Sequence, residues 1–370
     1  MDPLTQAVVG AALPMAATRT ARGAPAGTGS RPIRLRTAGA LGFLAGMAAD
    51  LDVLIRSAAD PLLFLEYHRQ FTHALVFVPV GGLLCALALQ LLAGRRRRPP
   101  FRLTLLACTL GYATHGLLDA CTSYGTMLFW PFSEARIALS IVPVVDPLFT
   151  LPAAALLLLA WWRRRPLQAR LALVWAGLYL ALGAWQQQAA LAGAAALAAA
   201  RGHAPARIEA KPTFANILLW KTIYETGDGD GNGDGGGNGN GARFHVDGVR
   251  PGLGPLLRAR VYPGTSIPRL DLARDFPWLD PGSRQARDVE RFRRLSGGFL
   301  AADPDRQGGG HPGRIVDVRY SFLPTSVRGL WSIELAPDAG PDAPVRYRTH
   351  REGARERLGA LWGMIVGDGG

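Results

Sequence analysis

From Thr72 to Ala93 the chain runs 22 residues without an Asp, Glu, Lys or Arg, and it then meets Arg95, Arg96, Arg97, Arg98 and two prolines. An apolar run of that length, stopped by a block of positive charge, predicts a helix that crosses a bilayer. The segment EYHRQFTHA (Glu66 to Ala74) puts His68, Arg69, Thr72 and His73 at the mouth of this run. Ionisable side chains at membrane depth are costly and mark a functional site or path. The rest of the chain is therefore read for residues that would meet these two histidines.

Further apolar runs flank this one. Leu4 to Ala17 is too short to span comfortably, with Asp2 placed as an N-cap and Pro3 at the first helical position. It is followed by arginine-rich sequence rather than a processing site, so it is read as a retained short helix. Thr18 to Arg36 is a loop holding Arg19, Arg22, Arg31, Arg34 and Arg36. Ala38 to Ile55 is a second apolar helix that ends in Asp50 and Asp52, and Arg56 to Phe71 is a polar loop. Leu103 to Cys121 carries His115 and Asp119 in its last turns. Ile141 to Trp162, which contains Asp146-Pro147, stops at Arg163, Arg164 and Arg165, and a last run extends from Leu171 to about Ala200.

The expected fold is mainly α. Residues 1–200 form a polytopic transmembrane bundle of about five to six helices, and residues 201–370 form a small β-rich soluble domain. In the second half, strands are expected within Ala204–Thr226 and at Arg243–Val249, Gly313–Phe322, Gly329–Leu335 and Val345–Thr349, with a helix near Ser283–Leu295. Residues 227–241 are almost entirely Gly, Asp and Asn. They imitate the start of a calcium loop, but the twelfth position is Gly239 instead of Glu, so a low-complexity insertion is the better reading.

A formal charge of +13 raises the question of nucleic acid. Much of the first-half excess sits in short arginine clusters between apolar runs, which is the pattern of cytoplasmic loops and argues against a nucleic-acid partner. Cys85, Cys108 and Cys121 all fall in apolar runs without a CxxC pair, so neither a disulfide framework nor a thiolate zinc site is indicated. The clusters at 19–36, 95–98 and 163–165 are alternate connections and share one side, the cytoplasm. The opposite side then receives Asp50, Asp52, His68, His73, His115, Asp119 and Asp146, seven groups from four segments at one level. The same parity sends the C-terminal domain to that outer side.

His115 and Asp119, four apart, share one helix face as two ligands of one ion would need, although a simple His–Asp hydrogen bond has the same spacing. His68 and His73, five apart, divide between the loop and the first turn of the next helix. Asp50 and Asp52 end a helix where the dipole disfavours carboxylates, which a bound cation would explain. Asp146 precedes Pro147, the ordinary grammar of a helix start. Together these His and Asp side chains suit one or two divalent ions, with Zn²⁺ favoured by an imidazole and carboxylate donor set. In that reading Asp52, His68, His73, His115 and Asp119 are ligands. Asp50 or Asp146 acts as base or orients a ligand, and Arg69 receives an anionic group such as phosphate.

The motifs MDPLTQAVVG, AADLDVL, HRQFTHAL, HGLLDACTSYGT with WPF, and VDPLF resemble the YdjM-like family of bacterial inner-membrane proteins, to which metal-dependent hydrolase activity is assigned by inference. KPTFANILLW and IVDVRYSF look like the soluble tail of longer members. The resemblance implies a polytopic helical fold in the bacterial inner (cytoplasmic) membrane, a hydrolase activity, and a site at Asp50, Asp52, His68, His73, His115, Asp119 and Asp146. Two positions depart from the pattern: Gln6, where members usually have histidine, and Ala49, where proline is usual. The expected function is a metal-dependent hydrolase acting on a phosphoester or other ester of a lipid or lipid-linked substrate. The competing readings are a non-catalytic metal-stabilised assembly or sensor protein, and a transporter.

Overall fold

The computed structural model describes residues 1–18, 33–93, 98–227, 241–254, 258–307, 313–350 and 353–367. Residues 228–240 of the Gly/Asp/Asn insertion, and much of the arginine clusters at 19–36 and 95–98, lie outside the described residues. The chain forms two compact units, one of Met1–Ile55, Tyr67–Ala184 and Phe214–Asn216, the other of Arg56–Glu66, Trp185–Thr213 and Ile217–Gly370.

The first unit is helical. α1 (Pro3–Ala16) begins as its sequence grammar requires, with the Asp2 carboxylate accepting from Leu4 N and Thr5 N and proline in the first turn. α2 (Leu35–Met47) tightens into a 3-10 segment, Ala48–Leu54, that presents Asp50 and Asp52. α3 (Leu63–Tyr67) is a single short turn. The expected helix from Thr72 does not begin there: Phe71–His73 and Leu75–Phe77 are separate 3-10 turns, and α4 runs only Val78–Leu92. His73 therefore sits in a tight turn before the helix. α5 (Phe101–Ala120) carries His115 and Asp119, and α6 (Pro147–Arg163) starts at Pro147, leaving Ile141–Val145 outside the helix. α7 (Leu167–Ala200) is 34 residues long.

Leu35–Leu54, Leu75–Leu92 and Leu167–Ala200 are long and apolar enough to cross a membrane, while Pro3–Ala16 and Pro147–Arg163 are apolar but shorter. Glycines set how closely α1, α2 and α5 cross. A Cβ on Gly10 would meet the backbone of Gly42 and Gly46, and one on Gly111 would meet the backbone of Gly42, in each case closer than 3.0 Å. Small residues at such crossings let helix backbones touch inside a bilayer. One end of this bundle gathers basic side chains on helix ends: Arg36 Nε donates to Trp161 O and Arg170 Nε to Ala16 O. α1 runs from there to the other end, where Gln6 reaches the functional groups.

A 34-residue helix is about 51 Å long, against a hydrocarbon layer of about 30 Å. α7 continues into the second unit from Trp185, and there Ala190, Ala194 and Ala198, four apart, form a fully buried stripe. Strands β1 (Pro205–Pro212), β2 (Trp220–Thr226), β3 (Arg243–Arg250) and β4 (Arg260–Tyr262) form an antiparallel sheet in that order, with β5 (Ser266–Pro268) also paired to β3. After α8 (Leu272–Asp275) and α9 (Arg284–Leu295, capped by Ser283), strands β6 (Leu300–Ala302), β7 (Arg314–Asp317), β8 (Trp331–Glu334) and β9 (Arg346–Thr349) form a second antiparallel sheet. α10 (Ala354–Val366) follows.

One core of this unit joins the two sheets through Ile223, Phe244, Val246, Ile267, Phe299, Val316 and Val318. A second core holds Val289 and Phe292 of α9 against Leu300, Ile315 and Ile333, and it includes Leu62 from the segment Arg56–Glu66.

Candidate metal centre

Three elements build the centre. The 3-10 segment after α2 supplies Asp50 and Asp52, the stretch from Tyr67 to the Phe71–His73 turn supplies His68, Arg69 and His73, and α5 supplies His115 and Asp119. The turn is docked on α5 by Tyr112 Oη, which donates to Thr72 O at 2.7 Å. Gly116 makes room for it, since a Cβ there would strike the His73 carbonyl oxygen. Arg69 takes a left-handed conformation, φ 66°, that costs a non-glycine residue roughly 1–3 kcal/mol. It is held there from both sides: its N–H donates to Asp52 Oδ2 at 3.1 Å, and its carbonyl accepts from Met127 N at 2.9 Å.

Asp50, His73, His115 and Asp119 each offer one ligand atom within 4.8 Å of the others, and Asp50, Asp52 and His68 form a second such group. In the first group His115 Nε2 lies 3.2 Å from Asp50 Oδ1, and His73 Nε2 lies 3.3 Å from Asp119 Oδ2 and 3.5 Å from Asp50 Oδ1. His115 Nε2 to Asp119 Oδ2 is 3.9 Å. Zinc–ligand distances of about 2.0–2.2 Å in a tetrahedron give edges of about 3.3–3.6 Å, and three of these spacings fall close to that range while the fourth, 3.9 Å, is wider.

Both imidazoles turn Nε2 toward this centre. His115 Nδ1 faces the Gly46 carbonyl at 2.5 Å, and a carbonyl only accepts, so Nδ1 carries a proton; Nε2, 3.2 Å from Asp50 Oδ1, then meets that carboxylate either through a second proton or across a shared cation. Thr72 Oγ1 donates to Asp52 Oδ2 at 2.7 Å, which leaves its lone pair for His73 Nδ1–H at 2.9 Å. His73 Nε2 and Asp119 Oδ2 are buried and make no hydrogen bond of good geometry among the described residues, although Asp119 Oδ2 lies within ion-pair range of Arg69 Nε at 3.1 Å. Two carboxylate oxygens facing two imidazole lone pairs repel one another unless a cation or extra protons lie between them. The donor set and its orphaned atoms thus fit a divalent metal.

The remaining predicted residues fall around this core. His68 Nδ1 lies 2.7 Å from Asp52 Oδ1, and the His68 side chain is 29% exposed, against 0% for His73, His115 and Asp119. Arg69 is buried, with Nε 3.1 Å from Asp119 Oδ2, Nη1 donating to Thr122 Oγ1 at 2.8 Å, and the guanidinium 5.2 Å from the Tyr124 ring centre. Its guanidinium is paired with Asp119, a candidate ligand, through Nε and with Thr122 through Nη1. Asp146 belongs to neither group: Oδ1 caps Leu148 N and Phe149 N, and Oδ2 accepts from Tyr179 Oη at 2.7 Å. Its carboxylate is used up in starting α6.

Sequence reasoning gave no role to Thr72 or Thr122, because hydroxyls beside a ligand carry no spacing signature. Gln6 donates from Nε2 to Asp119 Oδ1 at 2.9 Å and is fully buried. The Met1 amino group also donates to Asp119 Oδ1. Gln6 therefore stands where it orients the carboxylate of a candidate ligand from behind.

Fold and centre together define a polytopic membrane protein with a buried histidine–aspartate cluster that could bind a metal ion. The chain belongs to the YdjM inner membrane protein family, whose profile matches residues 1–190. It is 31% identical over 166 residues to the inner membrane protein YbcI of Escherichia coli (strain K12), a match covering 38% of this chain and 91% of that relative. No solved structure matches.

Proposed function

We propose that this protein is a membrane-embedded metal-dependent hydrolase that cleaves a phosphoester or other ester of a lipid or lipid-linked substrate. The observation that supports it most is the set of four donors, Asp50 at the edge and His73, His115 and Asp119 buried, gathered within 4.8 Å of one another with two of their atoms left without hydrogen bonds. Imidazole and carboxylate donors at that spacing favour Zn²⁺. A divalent ion of this kind supplies Lewis acidity and an acidified water at neutral pH.

The two groups share Asp50 and differ in kind. The first offers four protein donors, which closes a tetrahedral shell. The second, Asp50, Asp52 and His68, offers three and leaves a position open, as catalytic sites do. Its His68 and Asp50 side chains are also the exposed ones, 29% and 20%. Substrate is accordingly placed on the His68 side. Asp50 then serves both groups as a shared ligand, Thr72 and the Arg69 N–H fix Asp52, and Arg69 with Gln6 fixes Asp119. Positive-inside parity of the arginine clusters supports an extracytoplasmic location for this mouth and for the C-terminal domain.

A structural ion that only ties α2, the Phe71–His73 turn and α5 together is the second reading, favoured by the near-complete burial of the four-donor group. One experiment separates the two. Metal content is measured on detergent-purified wild type, His73→Ala, His115→Ala and His68→Ala, alongside hydrolysis of phospho- and carboxyl-ester lipids. The hydrolase reading expects stoichiometric zinc in wild type, its loss in the first two variants, and loss of turnover with the fold retained in His68→Ala. A folded wild type that takes up no metal after reconstitution refutes both readings.

A further inference from the structure

The loop that joins the two halves of the three-donor group is built into the second unit. Asp52 and His68 belong to the first unit, whereas the segment between them, Arg56–Glu66, is part of the second. Leu62 is fully buried in the core with Phe276, Val289, Phe292 and Leu300. The Phe64 ring meets Tyr347 of β9 edge-on at 5.3 Å, and Arg284 of α9 donates to Ala59 O at 2.6 Å.

One side chain binds the middle and the C-terminal end of this segment. Arg291, on α9, makes a two-pronged pair with Asp60, Nη1 to Oδ1 at 3.0 Å and Nη2 to Oδ2 at 2.9 Å. Its Nε donates to Glu66 Oε1 at 2.8 Å, and Asp288 Oδ1 accepts from Nη1 at 2.9 Å, which orients the fork from within α9. Only a guanidinium offers this planar set of donors; an ammonium places one charge at one point. Asp60 in turn accepts from Leu62 N at 3.1 Å, so the fork also fixes the turn that sends Leu62 into the core.

We infer that Arg291 is a positioning residue for the candidate metal centre: by clamping Asp60 and Glu66 it fixes the span between Asp52 and His68, and so presets the open three-donor group. The inference rests on the metal-centre reading above, and it gives the C-terminal unit a task in the site. Fifteen residues separate Asp52 from His68. Left free, they would have to be ordered each time the pair closes on an ion, and that cost lowers affinity. Groups that hydrogen-bond a ligand directly change metal affinity by about 10–100-fold, and a restraint that touches no ligand, as here, acts at the low end of that range.

The test uses the full-length protein in detergent and two readouts. Zinc affinity is measured for wild type, Arg291→Ala, Arg291→Lys and the swapped pair Arg291→Asp with Asp60→Arg. Amide exchange is followed at Arg69, whose N–H is held by Asp52. The inference expects Arg291→Ala to weaken zinc about tenfold or more and to speed exchange at Arg69, with Arg291→Lys intermediate and the swap partly restoring both. Circular dichroism and the exchange protection of β2 and β3 report whether the second unit is still folded. Wild-type zinc binding that is unchanged in Arg291→Ala, with exchange at Arg69 also unchanged, overturns the inference. If wild type binds no zinc, the metal reading fails on its own; faster exchange at Arg69 in Arg291→Ala then still supports the clamp, and unchanged exchange refutes it.

Discussion

Gly116→Ala sets two effects of opposite sign against each other. Alanine is the better helix former by roughly 1 kcal/mol in a helix interior. By that measure the substitution, one turn inside the C-terminal end of α5, should stabilise. However, the new Cβ would lie closer than 3.0 Å to the carbonyl oxygen of His73, a backbone atom that cannot rotate away. A normal carbon–oxygen approach is about 3.3–3.6 Å, so the Phe71–His73 turn must retreat by something on the order of 1 Å. Overpacking of this kind costs about 1–3 kcal/mol, which cancels or exceeds the helix gain. The larger consequence is local: His73 Nε2 is placed within 3.3–3.5 Å of Asp119 and Asp50. A shift comparable to a third of that spacing opens the four-donor group. The expected result is no gain in thermal stability and a zinc affinity at least tenfold weaker, read by metal titration in detergent. Gly177 on α7 is the control, because nothing lies within 4 Å of its would-be Cβ. Gly177→Ala should gain up to about 1 kcal/mol and leave zinc binding alone. A Gly116→Ala protein that is more stable than wild type and binds zinc equally well would refute the packing argument.

Other outcomes follow from the same geometry. Asp146→Ala removes the α6 cap and leaves the Tyr179 hydroxyl without its acceptor, so it should cost about 1–3 kcal/mol while metal content stays at the wild-type level; loss of metal would return Asp146 to the centre. Asp247→Ala strands Arg201, which binds Asp247 through both Nη atoms at 2.8 Å, and the Gly264 N–H, so the second unit should lose about 3–5 kcal/mol in chemical denaturation. Burial pushes the Lys221 ammonium down to about 7 from its ordinary 10.5, with Asp317 opposing and Lys211 adding to the shift. The unfolded chain then holds the extra proton between about pH 7 and 10.5, so this residue makes stability rise with pH across that window, and Lys221→Met should flatten the rise in a thermal melt series. His245 is depressed to about 4, by burial first and then by its neighbours His203 and Arg201. Its contribution is present above about 6.5 and lost as pH falls toward 4, and His245→Phe should remove that part of the acid sensitivity.

The sequence by itself determined the helical half and most of the chemistry gathered at one end of it. Apolar runs ended by arginines declare membrane helices because lipid leaves few other ways to satisfy a backbone, and α1, with Asp2 and Pro3 at its start, carries its own boundary signal. Strands β3, β7, β8 and β9 and helix α9 were likewise legible, since alternation and a serine cap are local signals. The three-residue strands β4, β5 and β6 were not, because so short a run has no periodicity to read.

Tertiary structure decided the rest. Whether Asp146 faces an ion or caps a helix depends on Tyr179, which is 33 residues away. Whether Arg69 is open to an anion depends on Asp119, Thr122 and Tyr124 closing around it. That a polar loop after Asp52 belongs to the second unit, through Leu62 and Arg291, has no trace in its own composition. Helix formation and membrane insertion follow from contacts within a few residues, which a sequence displays directly. The division of labour among carboxylates and guanidinium groups follows from partners far apart along the chain, and only the packed structure brings them together.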